Sequence, residues 1–297
     1  MATLTASHAG SFPVPLSAPS IAPNGDGSYS VVGGGGFFRW TPGEPPTLVI
    51  AEGVREFCGL TVEDSTATLW GGRFAETMFG ALVDSEARDV ASGAVLTIVP
   101  PIILPEPIAF PGTVRRGRNV LLVGGLSGGN AALRSIVLVR DGAARKLPLL
   151  LPVAGHGQLA ADGRRCYLGI STEFGTTFVE KEDGQPLATG LNTIIPGRPL
   201  SGLALAQRDP DSFFAVGGVG HGYESPTVYL HDSGVTTIVG DLATPKPDST
   251  DLEPLFLAHA AAVYVSGKLY LLGGTRRRRS GLSFEQWASA GIFEVAV

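Results

Sequence analysis

One pattern recurs along the whole chain: a short apolar run that ends in a pair of glycines. The clearest copy is LYLLGG at residues 269–274, and similar copies lie at residues 30–34, 68–72, 120–125 and 213–218, with a shortened copy at 166–169. The first glycines stand at 33, 71, 124, 169, 217 and 273, so the copies follow one another at an average of 48 residues. Internal periods of about 40–50 residues are typical of the four-stranded blades of β-propellers. The repeat therefore predicts an all-β fold.

The six copies account for the length of the chain. With 41 glycines, 22 prolines and 44% hydrophobic residues, the composition suits short buried strands joined by tight turns and argues against disorder. We predict a six-bladed β-propeller of four-stranded blades that forms a single domain over residues 1–297, because each blade packs its face on the next. The predicted blades are approximately residues 8–51, 58–99, 112–151, 157–190, 201–240 and 258–297.

The two ends of the chain complement each other in this prediction. The last blade is one strand short, whereas residues 2–7 are left over before the first blade. An unpaired strand edge exposes backbone N–H and C=O groups that need partners. We therefore expect residues 2–7 to form a closing strand that pairs with the last blade.

The apolar runs ending in Gly-Gly, at this period, resemble the kelch family of propellers over essentially the whole chain. Kelch-like propellers include enzymes, cytoskeletal binding proteins and substrate adaptors, so the resemblance implies a fold rather than one function. The compact architecture is also similar to that of propeller-bearing bacteriophage tail proteins. This fold-level analogy raises the expectation of a virion component that takes part in tail assembly.

Charge and targeting signals narrow the classes of partner. The net charge of −5 offers no field that would collect nucleic acid or an anionic membrane, so we expect protein partners, with a multi-subunit assembly as one form of that association. The first twelve residues lack a signal peptide, and no apolar run approaches the roughly 20 residues of a membrane helix. The expected location is cytoplasmic or virion-associated. Two cysteines in different repeats do not make a disulfide framework.

The longest irregular segments are predicted to emerge on one face, where loops on a rigid scaffold commonly carry binding. They include residues 100–111, residues 241–256 and a run of four arginines, which we interpret as an exposed loop before a short helix at 284–288. The candidate partner-binding residues are Arg276, Arg277, Arg278, Arg279, His221, Tyr223 and Trp287.

Four residues at the starts of predicted innermost strands are candidates for lining the central channel: Cys58, His156, Ser201 and His259. We interpret them as hydrogen-bonded polar residues, because two histidines and one thiol fall short of a convincing metal site. No cofactor is expected. Residues 125–129 fit the G-x-S-x-G pattern of serine hydrolases, but a strand pattern follows where that motif needs a helix. We therefore predict that Ser127 is not catalytic.

Three function classes follow from these observations. A non-enzymatic structural or assembly protein fits the missing catalytic constellations and the elaborated loops. A ligand-binding propeller, either lectin-like or a kelch-type adaptor, fits the same facts. A propeller enzyme, a hydrolase or a lyase, fits least, because paired carboxylates and nucleophile–base sets are missing from the sequence pattern.

Overall fold

The computed structural model describes residues 2–74, 80–151, 159–162, 165–172, 175–180, 188–192, 200, 202–220, 223–246, 249, 251–280 and 283–297. Within these residues the chain forms strands and turns and contains no helix. The chain divides into two compact units. Unit 1 comprises Met1–Ala18 and Gln158–Val297, and unit 2 comprises Pro19–Gly157. The assignment of one domain to residues 1–297 stays a prediction.

The first strand belongs to unit 1 and the next eleven belong to unit 2. Their bounds are β1 Thr3–Ser11, β2 Ser20–Pro23, β3 Tyr29–Gly33, β4 Gly36–Trp40, β5 Thr47–Ile50, β6 Gly59–Glu63, β7 Thr66–Trp70, β8 Ser85–Asp89, β9 Gly112–Arg116, β10 Asn119–Val123, β11 Ser135–Arg140 and β12 Ala143–Leu150. In unit 2, β2–β5 and β9–β12 are four-stranded antiparallel sheets, and β6–β8 is a three-stranded sheet.

The remaining strands belong to unit 1. Their bounds are β13 Leu159–Asp162, β14 Arg165–Thr172, β15 Gly175–Glu180, β16 Ala188–Asn192, β17 Ala204–Asp209, β18 Ser212–Val216, β19 Val219–Gly220, β20 Tyr223–Glu224, β21 Thr227–Asp232, β22 Val235–Pro245, β23 Leu252–Pro254, β24 Phe256–Ala258, β25 Ala261–Val265, β26 Lys268–Leu272, β27 Thr275–Ser280, β28 Ser283–Ala288 and β29 Gly291–Ala296. The largest sheet has nine strands, in the order β17-β18-β21-β22-β1-β29-β26-β25, with β23 added to β22.

The prediction of six separate four-stranded blades is wrong. The N-terminal strand β1 is the first reason, because it pairs with β29 in antiparallel fashion and also with β22 in parallel, which merges strands from two predicted blades into the nine-stranded mixed sheet. Residues 2–7 were expected to pair with the last blade, but of these only Ala6 and Ser7 pair with β29, and residues 3–5 pair with β22 instead. Among the described residues, no regular fourth strand joins the sheet β6–β8. Finally, β24, β27 and β28 form a separate three-stranded sheet from residues that were expected to lie in loops and a helix.

The repeated apolar runs are the central strands of their sheets. Strands β10, β18 and β26 have nearly every residue buried, as expected of strands covered on both faces. The glycine pairs that follow β7, β10, β18 and β26 adopt positive φ angles, for example 60° and 88° at Gly71 and Gly72 after β7. A Cβ atom on Gly71 would lie 2.1 Å from the Ile108 carbonyl oxygen, and the Gly72 N–H donates to that same oxygen at 2.8 Å. The glycine pair is therefore required where a later segment of the chain packs against the strand end.

Each unit has its own apolar core. In unit 1, Ala6 of β1 packs with buried residues of β18, β26 and β29, among them Phe214, Leu271 and Phe293. In unit 2, one cluster contains Leu69 of β7, and a second contains Leu122 of β10. Strand β1 is thus part of the core of unit 1 as well as of its largest sheet.

Candidate interaction surface

A stretch of unit 2 without charged residues presents apolar side chains to solvent. Residues 90–105 contain no Asp, Glu, Lys or Arg. Within this stretch Ile98 is 88% exposed and Ile103 is 63% exposed, and Val95 and Val99 are exposed as well. We call residues 94–104 the apolar segment. Single exposed apolar residues are common on protein surfaces, whereas several of them together without charge are typical of interaction sites.

The apolar segment runs along β8 in the place of a fourth strand. The Leu96 N–H donates to the Ala87 carbonyl at 2.8 Å, and the Leu104 N–H donates to the Val83 carbonyl at 2.6 Å. Between these points the segment turns, with a hydrogen bond of 3.1 Å from the Val99 N–H to the Leu96 carbonyl. Regular pairing is interrupted because Pro100 and Pro101 have no N–H to donate.

Residues near the end of the segment anchor it. Leu104 is buried in the cluster around Leu122, and Ile102 is half-buried against the same cluster. The Ser85 hydroxyl accepts a hydrogen bond of 2.9 Å from the Ile102 N–H, and the Ser85 N–H donates to the Ile102 carbonyl at 3.0 Å. Because neighbouring residues of an extended chain face opposite sides, burial of Ile102 and Leu104 turns Ile103 outward. The exposure of Ile103 is thus built into the local structure.

A buried network of charges fixes strand β8 beneath the segment. Arg55 is 6% exposed, and its guanidinium donates to the Asp84 carboxylate at 2.8 Å and to the Glu86 carboxylate at 3.3 Å. Arg88 is 2% exposed and donates to the other oxygen of Glu86 at 2.5 Å. Arg88 also donates to the carbonyls of Gly93 and Gly53, at 2.8 and 2.6 Å. The network therefore joins β8 to Gly53 and Arg55, which precede it in the chain, and to Gly93, which follows it.

A turn leads from β8 into the apolar segment. Its first residue, Asp89, accepts hydrogen bonds of 2.7 Å from both the N–H and the hydroxyl of Ser92. These bonds, that of the hydroxyl first, lower the pKa of the Asp89 carboxyl. The Asp89 N–H in turn donates to the Ala94 carbonyl at 2.9 Å. The Asp89 carboxylate thus fixes the turn, and the Asp89 N–H fixes the first residue of the apolar segment.

Unit 2 also contains an arginine stacked on two aromatic rings. The rings of Phe57 and Phe110 are stacked with centroids 4.2 Å apart, and the Arg73 guanidinium carbon lies 4.3 Å from the Phe57 centroid. Both phenylalanines have positive φ angles, 54° and 55°, which are unfavourable for large side chains. The Phe110 N–H donates to the Phe57 carbonyl at 2.6 Å, which helps to hold both residues in this conformation. Strained backbone of this kind is often found at ligand sites.

The arginine run belongs to a strand rather than to an exposed loop. Arg276, Arg277, Arg278 and Arg279 lie in β27, and their register partners in β28 are Trp287, Gln286, Glu285 and Phe284. The helix expected at 284–288 is therefore wrong, because these residues pair as β28. The Arg276 guanidinium carbon lies 5.1 Å from the centroid of the buried Phe293 ring and 5.6 Å from that of the Trp287 ring, which is 40% exposed. Arg276 and Trp287, both predicted to bind a partner, are thus in contact through a cation–π interaction.

The other predicted residues fall at several places. His221, His156 and Ser201 lie outside the described residues, and Tyr223 is placed only as part of the short strand β20. His259 in unit 1 has a φ of 56°. Its imidazole packs against Gly202, where an added Cβ would lie only 2.7 Å from the ring. In unit 2, burial raises the pKa of the Cys58 thiol to about 12, and the thiol lies 3.8 Å from the Arg55 carbonyl. The assignment of these residues to a common channel stays a prediction.

Ser127 lies in a turn between strands. Its hydroxyl accepts a hydrogen bond of 3.1 Å from the Ala131 N–H, and its carbonyl accepts one of 2.9 Å from the Asn130 N–H. The next regular element is strand β11. The strand–turn–helix arrangement of a nucleophilic serine is therefore not formed around Ser127.

The sequence pattern predicts a loop at residues 100–111 but does not identify the apolar segment as an exposed surface. The overlooked signal was the absence of charge over residues 90–105 combined with branched aliphatic side chains and prolines. Two negative observations apply to the described part of the chain: no three His, Cys, Asp or Glu side chains are grouped to hold a metal ion, and no helix could span a membrane.

The fold of this chain is similar to that of a solved structure. The chain resembles the solved structure of YjhT with a TM-score of 0.69, over 93% of this chain and 99% of that one, at 12% sequence identity. A similarity at this low identity concerns the fold alone. No family profile matches the sequence. No curated protein matches it either.

Proposed function

We propose that this chain is a non-catalytic assembly module that binds a protein partner through the apolar segment of unit 2. The observation that carries the proposal is the exposure of Val95, Ile98, Val99 and Ile103 within a stretch that has no charge. Full burial of one such side chain contributes about 1.5–3 kcal/mol, so a partner that covers several of them gains a substantial driving force. Part of this gain is offset by the entropy lost on association.

The shape of the segment also favours binding. Prolines restrict the backbone, and the hydrogen bonds to β8 hold its two ends, so little further ordering is needed when a partner docks. The partner is expected to present an apolar, uncharged surface, because the segment has no group with which to pair a charge. That this chain is a bacteriophage tail component stays a prediction, which rests on the fold-level analogy made from the sequence.

The experiment replaces the exposed side chains and leaves the anchors intact. The double variant Ile98→Ser/Ile103→Ser is compared with Leu48→Ser, which changes an exposed apolar residue on β5 of the same unit. Both should fold, since substitutions at exposed positions usually change stability by no more than about 0.5 kcal/mol. Affinity purification from the native source, followed by mass spectrometry, should show partners that are retained by Leu48→Ser and lost by the double variant. Retention of every partner by the double variant would contradict the proposal.

A second candidate function is ligand binding at Arg73, which the stacked rings of Phe57 and Phe110 favour. A guanidinium held on an aromatic face can bind an anionic group in a partly desolvated setting. The test is a thermal-shift screen of small carboxylates and phosphates against wild type, Arg73→Gln and Arg115→Gln. A shift that disappears only in Arg73→Gln supports this function, whereas no shift in wild type contradicts it.

A further inference from the structure

Strand β22 has a partly open edge. On one side it pairs with β21 over residues 235–241 and with β23 over residues 243–245. On the other side β1 pairs only with residues 241–243, and the Ala2 carbonyl accepts from the Asp241 N–H. In the part of the chain that the structure describes, no strand pairs with residues 235–239 on that second side. This leaves backbone hydrogen-bonding groups available along about five residues.

The side chains on this edge carry no protection against pairing. Residues 235–239 read VTTIV and contain no charged residue and no proline. Val235 is 63% exposed and Ile238 is 50% exposed. Proteins usually protect exposed edges with lysine, proline or a bulge, and the outer strand β12 has Arg145, Lys146 and Pro148. The register of β22 with β21 shifts at Val239, at one end of the edge, whereas residues 235–238 pair regularly with β21. The edge over residues 235–238 is therefore suited to accept another strand.

We propose that the free edge of β22 pairs in antiparallel fashion with the same edge of a second copy of this chain. A two-fold axis at Thr237 would place Thr237 opposite itself and Thr236 opposite Ile238, with Val235 next to the irregularity at Val239 at each end. Threonine pairs and aliphatic pairs are favourable across antiparallel strands. No like charges meet in this register, which is the condition that a self-complementary two-fold contact must satisfy.

The same operation on β12 would bring Arg145 and Lys146 of both copies close together, so β22 is suited to self-pairing and β12 is not. Strand addition at β22 also has a precedent within the chain, because β1 already occupies the adjoining residues 241–243. The contact is small, and pairing of about five residues per copy is expected to give a weak, concentration-dependent dimer.

The test uses charge at the two-fold axis. Sedimentation of the full chain over about 5–500 μM should show a monomer–dimer equilibrium that follows mass action. In Thr237→Lys and in Thr237→Glu, like charges face each other, and dimerisation should weaken at least about tenfold. An equimolar mixture of the two variants should restore dimers, because lysine then faces glutamate. The control Leu150→Lys adds the same charge to β12 and should leave the equilibrium unchanged.

The outcomes separate this inference from the assembly function. A monomer at every concentration would overturn the inference, as would a dimer that Thr237→Lys leaves intact or that the mixture fails to restore. Loss of dimers in Ile98→Ser/Ile103→Ser alone would overturn it too, and would assign self-association to the apolar segment. If a Thr237 variant does not fold, hydrogen exchange of the wild-type protein replaces it: amides of residues 235–239 should gain protection with concentration, and unchanged exchange would refute the pairing.

Discussion

Replacement of Gly71 by alanine tests the physical reason for the glycine pairs. The φ angle of Gly71 is 60°, and an added Cβ would lie 2.1 Å from the Ile108 carbonyl oxygen. The matched control is Gly117→Ala in the same unit, where φ is 54° and no atom lies within 4 Å of the added Cβ. Both substitutions impose the same backbone strain, and only one adds a collision.

The control should lose about 1–2 kcal/mol, the cost of a left-handed conformation for a residue with a Cβ. Gly71→Ala must in addition move the Ile108 carbonyl by about 1 Å, which breaks the bond from the Gly72 N–H and costs about 1 kcal/mol for that bond. Displacement of the buried Ile108 side chain adds about 1–2 kcal/mol of lost packing. The expected total is therefore about 3–5 kcal/mol.

The assay is urea unfolding, with the midpoint of thermal unfolding as a second readout. At about 2–4 °C per kcal/mol, the control should lower Tm by roughly 2–8 °C, and Gly71→Ala should lower it by at least about 6 °C and by more than the control does. Equal losses in the two variants would refute the reasoning, because they would show that backbone strain alone, and not the approach of the Ile108 carbonyl, requires glycine at this position.

Three further predictions concern a residue of β8, a buried thiol of the same unit and the turn that follows β8. Glu86→Gln should destabilise the protein by about 3–5 kcal/mol in urea unfolding, because it leaves the buried Arg88 without its carboxylate and Arg55 with that of Asp84 alone, whereas Glu63→Gln at an exposed pair should cost about 0–1 kcal/mol. Cys58, with a pKa of about 12, should resist iodoacetamide at pH 8 and react on unfolding, as peptide mass spectrometry would show; rapid native labelling would contradict its burial. Asp89 has a lowered pKa, so its contribution is present above the unfolded pKa of about 3.8 and is lost as pH falls through the folded pKa. Asp89→Asn should therefore flatten the acid limb of stability against pH, and an unchanged slope would count against the Ser92 bonds.

The sequence by itself determined where the buried strands lie. Runs such as residues 120–123 and 269–272 are apolar at every position because the strands they form are covered on both faces. The glycine pairs after them were legible for a similar reason, since a positive φ together with a close carbonyl leaves no other residue type without strain. The all-β class and the repeated strand order follow from these local rules.

Only the tertiary structure decided how the strands associate. The sequence of β1 favours a strand, but its pairing with both β22 and β29 depends on where those strands lie in unit 1, so the separate blades could not be corrected from the sequence. The arginine run was read as a loop because four adjacent charges disfavour burial, yet pairing with β28 and contact with the Phe293 ring place Arg276 in a strand. Exposure is likewise a tertiary property. Ile102 and Ile103 are identical in type and adjacent in sequence, and only the packing of the segment against β8 leaves Ile102 half-buried and Ile103 63% exposed.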